Sequence, residues 1–167
     1  MHRKRLSLLL LTVACAAAAL PARAADDPPP APRAASDPLG PARQQIAAQR
    51  WPAALDLLKT VNAAGNPDWN NLMGFALRKQ ATPDLDGAQR HYDEALRLDP
   101  RHKGALEYSG ELALMKGDLP RAEQRLAMLE RVCGGGCEEA TDLKAAIAQF
   151  KSSGRRPTAE AKRYRGT

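Results

Sequence analysis

Aromatic residues are scarce in this sequence of 167 residues, with two Trp, three Tyr and two Phe making up 4% of the chain. β-Branched residues are also few, and no segment keeps up the alternation of apolar and polar side chains that is typical of half-buried strands. A β-sheet is therefore not expected. The remaining apolar residues, mostly Ala and Leu, favour a helical protein.

Sequence motifs for catalysis are missing as well. The sequence has no glycine-rich phosphate loop, no His-x-x-x-His pair and no Gly-x-Ser-x-Gly turn. His91 is expected on the outer side of a helix, where a surface role is commoner than general-base catalysis. Glu107 and Glu111, one helical turn apart, are expected on a solvated face. We therefore predict a protein that is not an enzyme and that needs no cofactor.

The first 24 residues have the pattern of a secretory signal peptide. A basic start, Arg3 to Arg5, precedes an almost unbroken apolar run over residues 6–20, which is short for a transmembrane helix. The small-x-small pattern of Ala22 to Ala24 predicts cleavage after Ala24 and export to a bacterial periplasm. Two alternatives stay open, an uncleaved anchor and a lipoprotein acylated at Cys15.

Basic residues are concentrated at the two ends of the chain. The net charge is +6, but residues 1–24 hold four basic residues and no acid, and residues 151–167 hold six basic residues and one acid. Residues 25–150 carry a net charge of −3. The charge therefore gives no reason to expect a nucleic-acid surface.

Proline is concentrated directly after the signal peptide. Six prolines fall between Pro28 and Pro41, where few apolar side chains are available for burial. We predict a disordered tether over residues 25–39, with a reach of roughly 50 Å at about 3.1 Å per residue. Residues 152–167 are predicted to form a basic disordered tail.

A 34-residue internal repeat organises the chain between tether and tail. The segments beginning at Trp51, Leu85 and Leu119 start 34 residues apart, twice. Their small and apolar residues coincide at positions four and three residues apart, the spacing of one helix face. The coinciding sets are Ala54, Ala88 and Ala122; Leu58, Tyr92 and Leu126; and Val61, Ala95 and Leu129.

The repeat resembles the tetratricopeptide repeat, or TPR. The units are residues 40–66, 67–100 and 101–134, and the middle one fits best. Its matching residues are Gly74, Ala88, Tyr92, Ala95 and Pro100. The resemblance implies an all-α fold, a short α-solenoid of about three TPR-like helical hairpins with a C-terminal capping helix.

Helix start signals fit this arrangement. Asn66 and Pro67 form a strong start, and Asp84 and Asp118 can cap the helices that follow them. The predicted helices cover residues 40–49, 52–63, 68–80, 85–98, 102–116, 119–133 and 138–151. The last of these is expected to cover the open end of the stack as a capping helix. With the turn before it, this segment spans residues 135–151.

The TPR resemblance also implies a binding groove lined by the first helix of each unit. The corresponding positions are Arg43, Ile46, Asn71, Phe75, Arg78, Lys79, Glu107, Glu111 and Leu114. Phe75 is expected to expose its ring in the groove, and Arg78 and Lys79 are expected to attract an acidic segment. A merely solvated face is the alternative.

The stretch "LERVCGGGCEE" holds the two cysteines that remain after the signal peptide, Cys133 and Cys137. Glu138 stands where haem attachment needs a histidine, and a thioredoxin-like site needs two residues between its cysteines. A zinc site that uses both cysteines and His102, with Glu138, Glu139 or water as the fourth ligand, stays open. We favour a disulfide, because a helical path places the two Cα atoms about 6 Å apart and the glycines allow a small ring.

The turn and the "DLKAAIA" segment after it also resemble small exported bacterial TPR proteins. The function that follows is an exported, non-catalytic adaptor or scaffold that binds a peptide or partner protein in the cell envelope. Two alternatives remain: a metal- or redox-responsive protein centred on Cys133, Cys137 and His102, and a lipid-anchored component of an envelope assembly.

Overall fold

The structure is a computed structural model, of which we describe residues 37–154. The predicted signal peptide, most of the predicted tether and the tail beyond Gly154 lie outside the described residues. Within residues 37–154 the chain forms seven α-helices. These are α1 (Gly40–Ala47), α2 (Trp51–Val61), α3 (Pro67–Lys79), α4 (Leu85–Leu98), α5 (Lys103–Lys116), α6 (Leu119–Cys133) and α7 (Glu138–Ser153).

All seven helices begin and end within two residues of the predicted bounds. The ends of the predicted tether and of the predicted tail differ from the structure. Leu39, predicted within the tether, is only 2% exposed, because it packs with Ala42 and Ile46 of α1 in the first core cluster. Helix α7 continues to Ser153, two residues into the predicted tail.

Four of the described helices begin at a side chain that accepts a hydrogen bond from the first turn. Asn66 accepts from Trp69 N at 3.2 Å, Asp84 from Gly87 N at 2.8 Å, His102 from Ala105 N at 3.1 Å and Asp118 from Arg121 N at 3.0 Å. These contacts satisfy N–H groups that a helix start otherwise leaves unpaired. The three caps predicted from Asn66, Asp84 and Asp118 are confirmed, and His102 adds one that was not predicted.

The helices stack as consecutive antiparallel hairpins. Helix α1 packs on α2, α3 on α4 and α5 on α6, while α2–α3 and α4–α5 contacts join one hairpin to the next. Helix α7 packs on both α5 and α6 and so covers one end of the stack. The predicted fold class is confirmed: the described chain is an all-α, solenoid-like array of three hairpins with a capping helix.

Small residues set the distance between neighbouring helices. Ala54, Ala88 and Ala122, the aligned alanines of the repeat, are all fully buried. At Gly74 the approach is closer still, because a Cβ there would lie 2.8 Å from Cε1 of the Tyr92 ring. Helix α3 can reach α4 at this point only because position 74 has no side chain.

The core consists of two clusters of buried apolar residues. The first lies mainly between α1, α2, α3 and α4, and it includes Tyr92 and Tyr108. The second lies between α5, α6 and α7, where Leu143 and Ile147 of α7 join Leu129 of α6. Burying a leucine or isoleucine side chain contributes about 1.5–3 kcal/mol, so these contacts fix α7 as part of the fold. Among the described residues, no helix combines the length and the apolar composition that a membrane span requires.

The Gly74–Tyr92 contact is testable by substitution. We expect Gly74→Val to lower the free energy of unfolding by about 2 kcal/mol, because a branched side chain must displace the buried Tyr92 ring. Gly65→Val is the control, since a Cβ at Gly65 meets no atom within 4 Å, and a change within about 0.5 kcal/mol is expected there. Urea unfolding followed by circular dichroism measures both, and equal losses would contradict the close approach.

Candidate functional site

Helices α3 and α5 carry most of the residues that the sequence assigned to a binding groove. Asn71, Phe75, Arg78 and Lys79 lie on one face of α3, and Glu107 and Glu111 lie one turn apart on α5. Together with Tyr108 these residues form what we call the α3–α5 face. The structure therefore brings six of the nine predicted groove residues together on two neighbouring helices.

Aromatic rings form the centre of the α3–α5 face. The centroid of the Phe75 ring lies 4.7 Å from that of Tyr108 and 6.0 Å from that of Trp51. The guanidinium carbon of Arg78 lies 5.5 Å from the Phe75 centroid and 5.6 Å from the Tyr108 centroid. Lys79 Nζ also lies 5.6 Å from the Phe75 centroid. Both cations are thus placed for cation–π attraction to the rings.

A buried ion pair joins the two helices. Arg78 Nη2 donates to Glu111 Oε2 at 2.9 Å, and the two side chains are 3% and 9% exposed. Burial acts against the charge of Arg78, but Tyr92, Glu111 and Tyr108 outweigh it and raise the pKa of the guanidinium. Burial also raises the pKa of Tyr92 well above its ordinary value. At neutral pH the cluster therefore holds a cationic Arg78 beside a neutral phenol.

Three buried polar atoms of α3 and α4 have no hydrogen-bond partner within residues 37–154. They are Asn71 Oδ1, Arg78 Nε and the Tyr92 hydroxyl. An unpaired buried polar atom costs about 1–3 kcal/mol, so such atoms are few in folded proteins. Such atoms on two neighbouring helices distinguish this part of the described chain.

The α3–α5 face is closed off from solvent, and the prediction of an exposed Phe75 is wrong. Phe75 is 0% exposed, Glu107 2% and Glu111 7%. The prediction of a solvated face for the two glutamates is wrong for the same reason. Helix α5 is buried continuously from Gly104 to Leu114, whereas a helix packed on one side buries only a stripe.

Two further positions assigned to the groove belong to the hydrophobic core. Ile46 is fully buried in the first core cluster and Leu114 in the second. Their apolar side chains pack against the other hairpin helices, so they are core residues. Sequence spacing alone did not separate them from the polar positions of the same helices.

Asp68 links the first helices of all three hairpins. Its Oδ2 accepts from Arg43 Nη2 at 3.2 Å, and its Oδ1 lies 3.0 Å from His102 Nε2. Asp68 and His102 are 34 residues apart, so this contact repeats the period of the sequence. Arg43, which was also assigned to the groove, is only partly exposed and pairs with Asp37 as well. Its described contacts make it a link between hairpins.

His91 occupies a polar niche that sequence reasoning did not find. Its Nδ1 lies 3.0 Å from Asn70 Oδ1, and its ring meets Trp69 edge-on at 5.6 Å between centroids. Asn70 Nδ2 donates to Ala64 O at 2.7 Å, which leaves Asn70 Oδ1 as the acceptor and places the proton on His91 Nδ1. His91 is therefore partly buried between the two helices of its own hairpin, and it is not the simple surface histidine that was expected.

Cys133 and Cys137 lie at bonding distance, as predicted. Their Sγ atoms are 2.03 Å apart and their Cα atoms 5.7 Å apart. Gly134 ends α6 with φ of 60°, and Gly136 has φ of 127°, which only glycine adopts readily. The ring joins the end of α6 to the start of α7. In the chain-entropy model, closing it stabilises the fold by about 2 kcal/mol.

His102 does not take part in a metal site with these cysteines. Its Nδ1 accepts from Ala105 N, and its Nε2 donates to Asp68, so both ring nitrogens are engaged. Glu139 is the third residue whose donor atom lies within 4.8 Å of both sulfur atoms. His102 caps α5 instead, so the zinc site that the sequence left open as an alternative is not assembled around His102 in the described residues.

Comparison of the sequence with known protein families finds no matching family model, and comparison with curated proteins finds no match. The fold and the chemistry of the α3–α5 face are therefore the observations from which a function can be inferred. The described face combines aromatic rings with both signs of charge.

The Arg78–Glu111 pair is testable by a double-mutant cycle. Arg78→Met should lower the free energy of unfolding by about 3–5 kcal/mol, because it leaves a buried carboxylate without this cation. Adding Glu111→Leu should recover most of that loss. Arg97→Met, which removes an exposed partner of Glu94, should cause no measurable change. If Arg78→Met lowers the free energy of unfolding no more than Arg97→Met does, the buried pair is contradicted.

His91 should make stability pH-dependent. Burial, with help from Arg90, lowers the pKa of folded His91 below its ordinary 6.5. The unfolded chain therefore binds more protons below about pH 6.5, so stability should fall as pH drops from 6.5 towards the folded pKa. Denaturant unfolding at pH 7.5 and 5.5 measures the fall, and His91→Gln should reduce it. If the loss of stability at pH 5.5 is as large in His91→Gln as in the wild type, other titratable groups cause it.

Proposed function

We propose that this protein is a non-catalytic TPR adaptor of the bacterial cell envelope, which binds a peptide segment of a partner at the α3–α5 face. The observation that carries the proposal is the group of unpartnered buried polar atoms at Asn71, Arg78 and Tyr92. A peptide backbone offers both N–H donors and carbonyl acceptors. It can therefore pair with an amide oxygen, a guanidinium N–H and a phenol at once.

The hairpin stack supports a TPR assignment of the repeat. Three hairpins at a 34-residue period, small residues at their contacts and a capping helix are what that family's repeat implies. In such arrays the first helices of successive units form one continuous surface. Here α3 and α5 carry the face with the mixed aromatic and charged composition.

The disulfide supports export. A bonded pair of cysteines persists in oxidising compartments and is rare in the cytosol of mesophiles. Cys133 and Cys137 are at bonding distance, which agrees with the signal-like pattern of residues 1–24. Both observations favour a periplasmic location after cleavage at Ala24.

Because the α3–α5 face is closed in the structure, partner binding requires that the face open. Phe75 and Tyr108 must separate from what covers them before a peptide can contact the rings. Affinity is then reduced by the fraction of molecules that are open. The proposal therefore predicts modest peptide affinities for the intact chain.

Asn71→Leu separates binding from folding. The substitution removes an unpartnered buried acceptor, so the free energy of unfolding should stay the same or rise. Peptides selected from a displayed random library against the purified chain should bind this variant about tenfold more weakly, which corresponds to about 1.4 kcal/mol.

Titration calorimetry with one selected peptide gives the comparison. Arg90→Ala is the matched control, because Arg90 is exposed on α4 and its loss should leave the dissociation constant unchanged. If no peptide is selected, or if Asn71→Leu binds as well as the wild-type chain, the proposed function is wrong.

A further inference from the structure

The junction between α6 and α7 brings together three side chains of types that ligate zinc. Cys133 is the last residue of α6, Cys137 stands directly before α7, and Glu139 is the second residue of α7. One donor atom from each of the three lies within 4.8 Å of the other two. All three side chains are partly buried. The group is therefore held in place by the fold and is still within reach of solvent.

The spacing of the donor atoms suits a tetrahedral zinc ion. With Zn–S bonds of about 2.3 Å and Zn–O bonds of about 2.0–2.2 Å, neighbouring ligand atoms lie about 3.6–3.8 Å apart. Three residues separate Cys133 from Cys137, and structural zinc sites commonly have roughly two to four residues between paired cysteines. Thiolate ligands also select zinc over calcium and magnesium, which prefer oxygen ligands alone.

The redox state of the cysteines decides whether zinc can bind. In the structure Cys133 and Cys137 are joined as a disulfide, whereas the metal ligand is the thiolate. A dithiol reductant breaks the Sγ–Sγ bond, supplies two electrons and two protons, and is itself oxidised to a disulfide. The two thiols that result then release two protons as they bind zinc as thiolates.

The turn between the cysteines has room to adjust when the disulfide opens. The two sulfur atoms must move from bonding distance to about 3.8 Å apart. Gly134, Gly135 and Gly136 form the turn, and a Cβ on any of them would meet no atom within 4 Å. Leu129 and Leu143 meanwhile hold α6 and α7 together in the second core cluster. The glycines can therefore change their dihedral angles while the two helices stay in place.

An open hollow lies beside the same turn. Its volume is about 340 Å³, and it is lined by Glu130, Gly135, Gly136, Ala140, Thr141 and Lys144. One water molecule takes about 30 Å³, so the hollow can hold a hydrated ion and the water that completes a set of four ligands. Glu130 and Lys144 carry opposite charges, so the attraction for a cation comes from the two thiolates and Glu139.

We propose that the reduced chain binds one Zn²⁺ through the thiolates of Cys133 and Cys137 and the carboxylate of Glu139, with water as the fourth ligand. The ion then replaces the disulfide as the cross-link between the end of α6 and the start of α7. Zinc therefore keeps the capping helix attached when the cysteines are reduced. This site does not depend on peptide binding at the α3–α5 face.

Zinc titration of the exported chain, reduced with a phosphine, tests the site. A phosphine is chosen because a dithiol would itself compete for zinc. Competition with a chromophoric chelator gives the dissociation constant, and circular dichroism checks that the reduced chain is folded. We expect one ion per chain and binding at least about a hundredfold tighter than to the disulfide form, which lacks two of the ligands.

Glu139→Gln distinguishes the proposed site from a simple pair of thiols. It should weaken zinc binding by at least about tenfold, because it removes a charged ligand. Glu138→Gln is the matched control, since Glu138 is an exposed carboxylate next in sequence that is not one of the three donors. Its dissociation constant should stay within about twofold of the wild-type value. Equal effects of the two substitutions would overturn the assignment of Glu139.

Cobalt in place of zinc reports the geometry of the site. The reduced chain with Co²⁺ should show the thiolate charge-transfer band and the intense visible bands of a tetrahedral ion, and Cys133→Ser should lose most of the charge-transfer band. Failure of the reduced chain to bind zinc, equal binding by the disulfide form, or an octahedral cobalt spectrum would overturn the proposal. A zinc-dependent dimer in analytical ultracentrifugation would assign the ion to a site between two chains and would also overturn it.

Discussion

The close approach of α3 and α4 at Gly74 is the constraint on which the rest of the structure depends. The Tyr92 ring fills the space that a side chain at position 74 would occupy. This contact buries Tyr92 completely and holds α4 against the back of α3. It therefore sets the orientation of α3, which turns Phe75 and Arg78 towards α5. The interhelical ion pair and the ring contacts of the α3–α5 face follow from that orientation.

The buried charges at the α3–α5 face lower the stability of the fold unless each of them is compensated. Moving an ion pair from water into a protein interior carries a desolvation penalty that its attraction offsets only with good geometry and further hydrogen bonds. Arg78 donates to Glu111 and has two rings beneath its charge. Its Nε remains unpaired, as do the Tyr92 hydroxyl and Asn71 Oδ1. A leucine-rich face would avoid this desolvation cost.

The fold was predictable because its signals are local and repeated. The 34-residue spacing of Ala54, Ala88 and Ala122 identified the contact faces, and the Asn66 and Asp84 caps identified helix starts. Each of these signals acts within one or two turns of its own helix. The disulfide was predictable for the same reason, since four residues of chain determine the distance between Cys133 and Cys137.

Burial of the candidate site was not predictable, because it depends on what lies across a face rather than on the residues in it. Glu107 and Glu111 have the spacing of an exposed helix face. The sequence of a helix does not show which other elements of the chain pack against that face. The same holds for His102, whose role as a cap for α5 and partner of Asp68 depends on the preceding hairpin. A periodic sequence therefore determines which residues share a surface. Whether that surface is open depends on what packs across it, and here Phe75, Glu107 and Glu111 are buried.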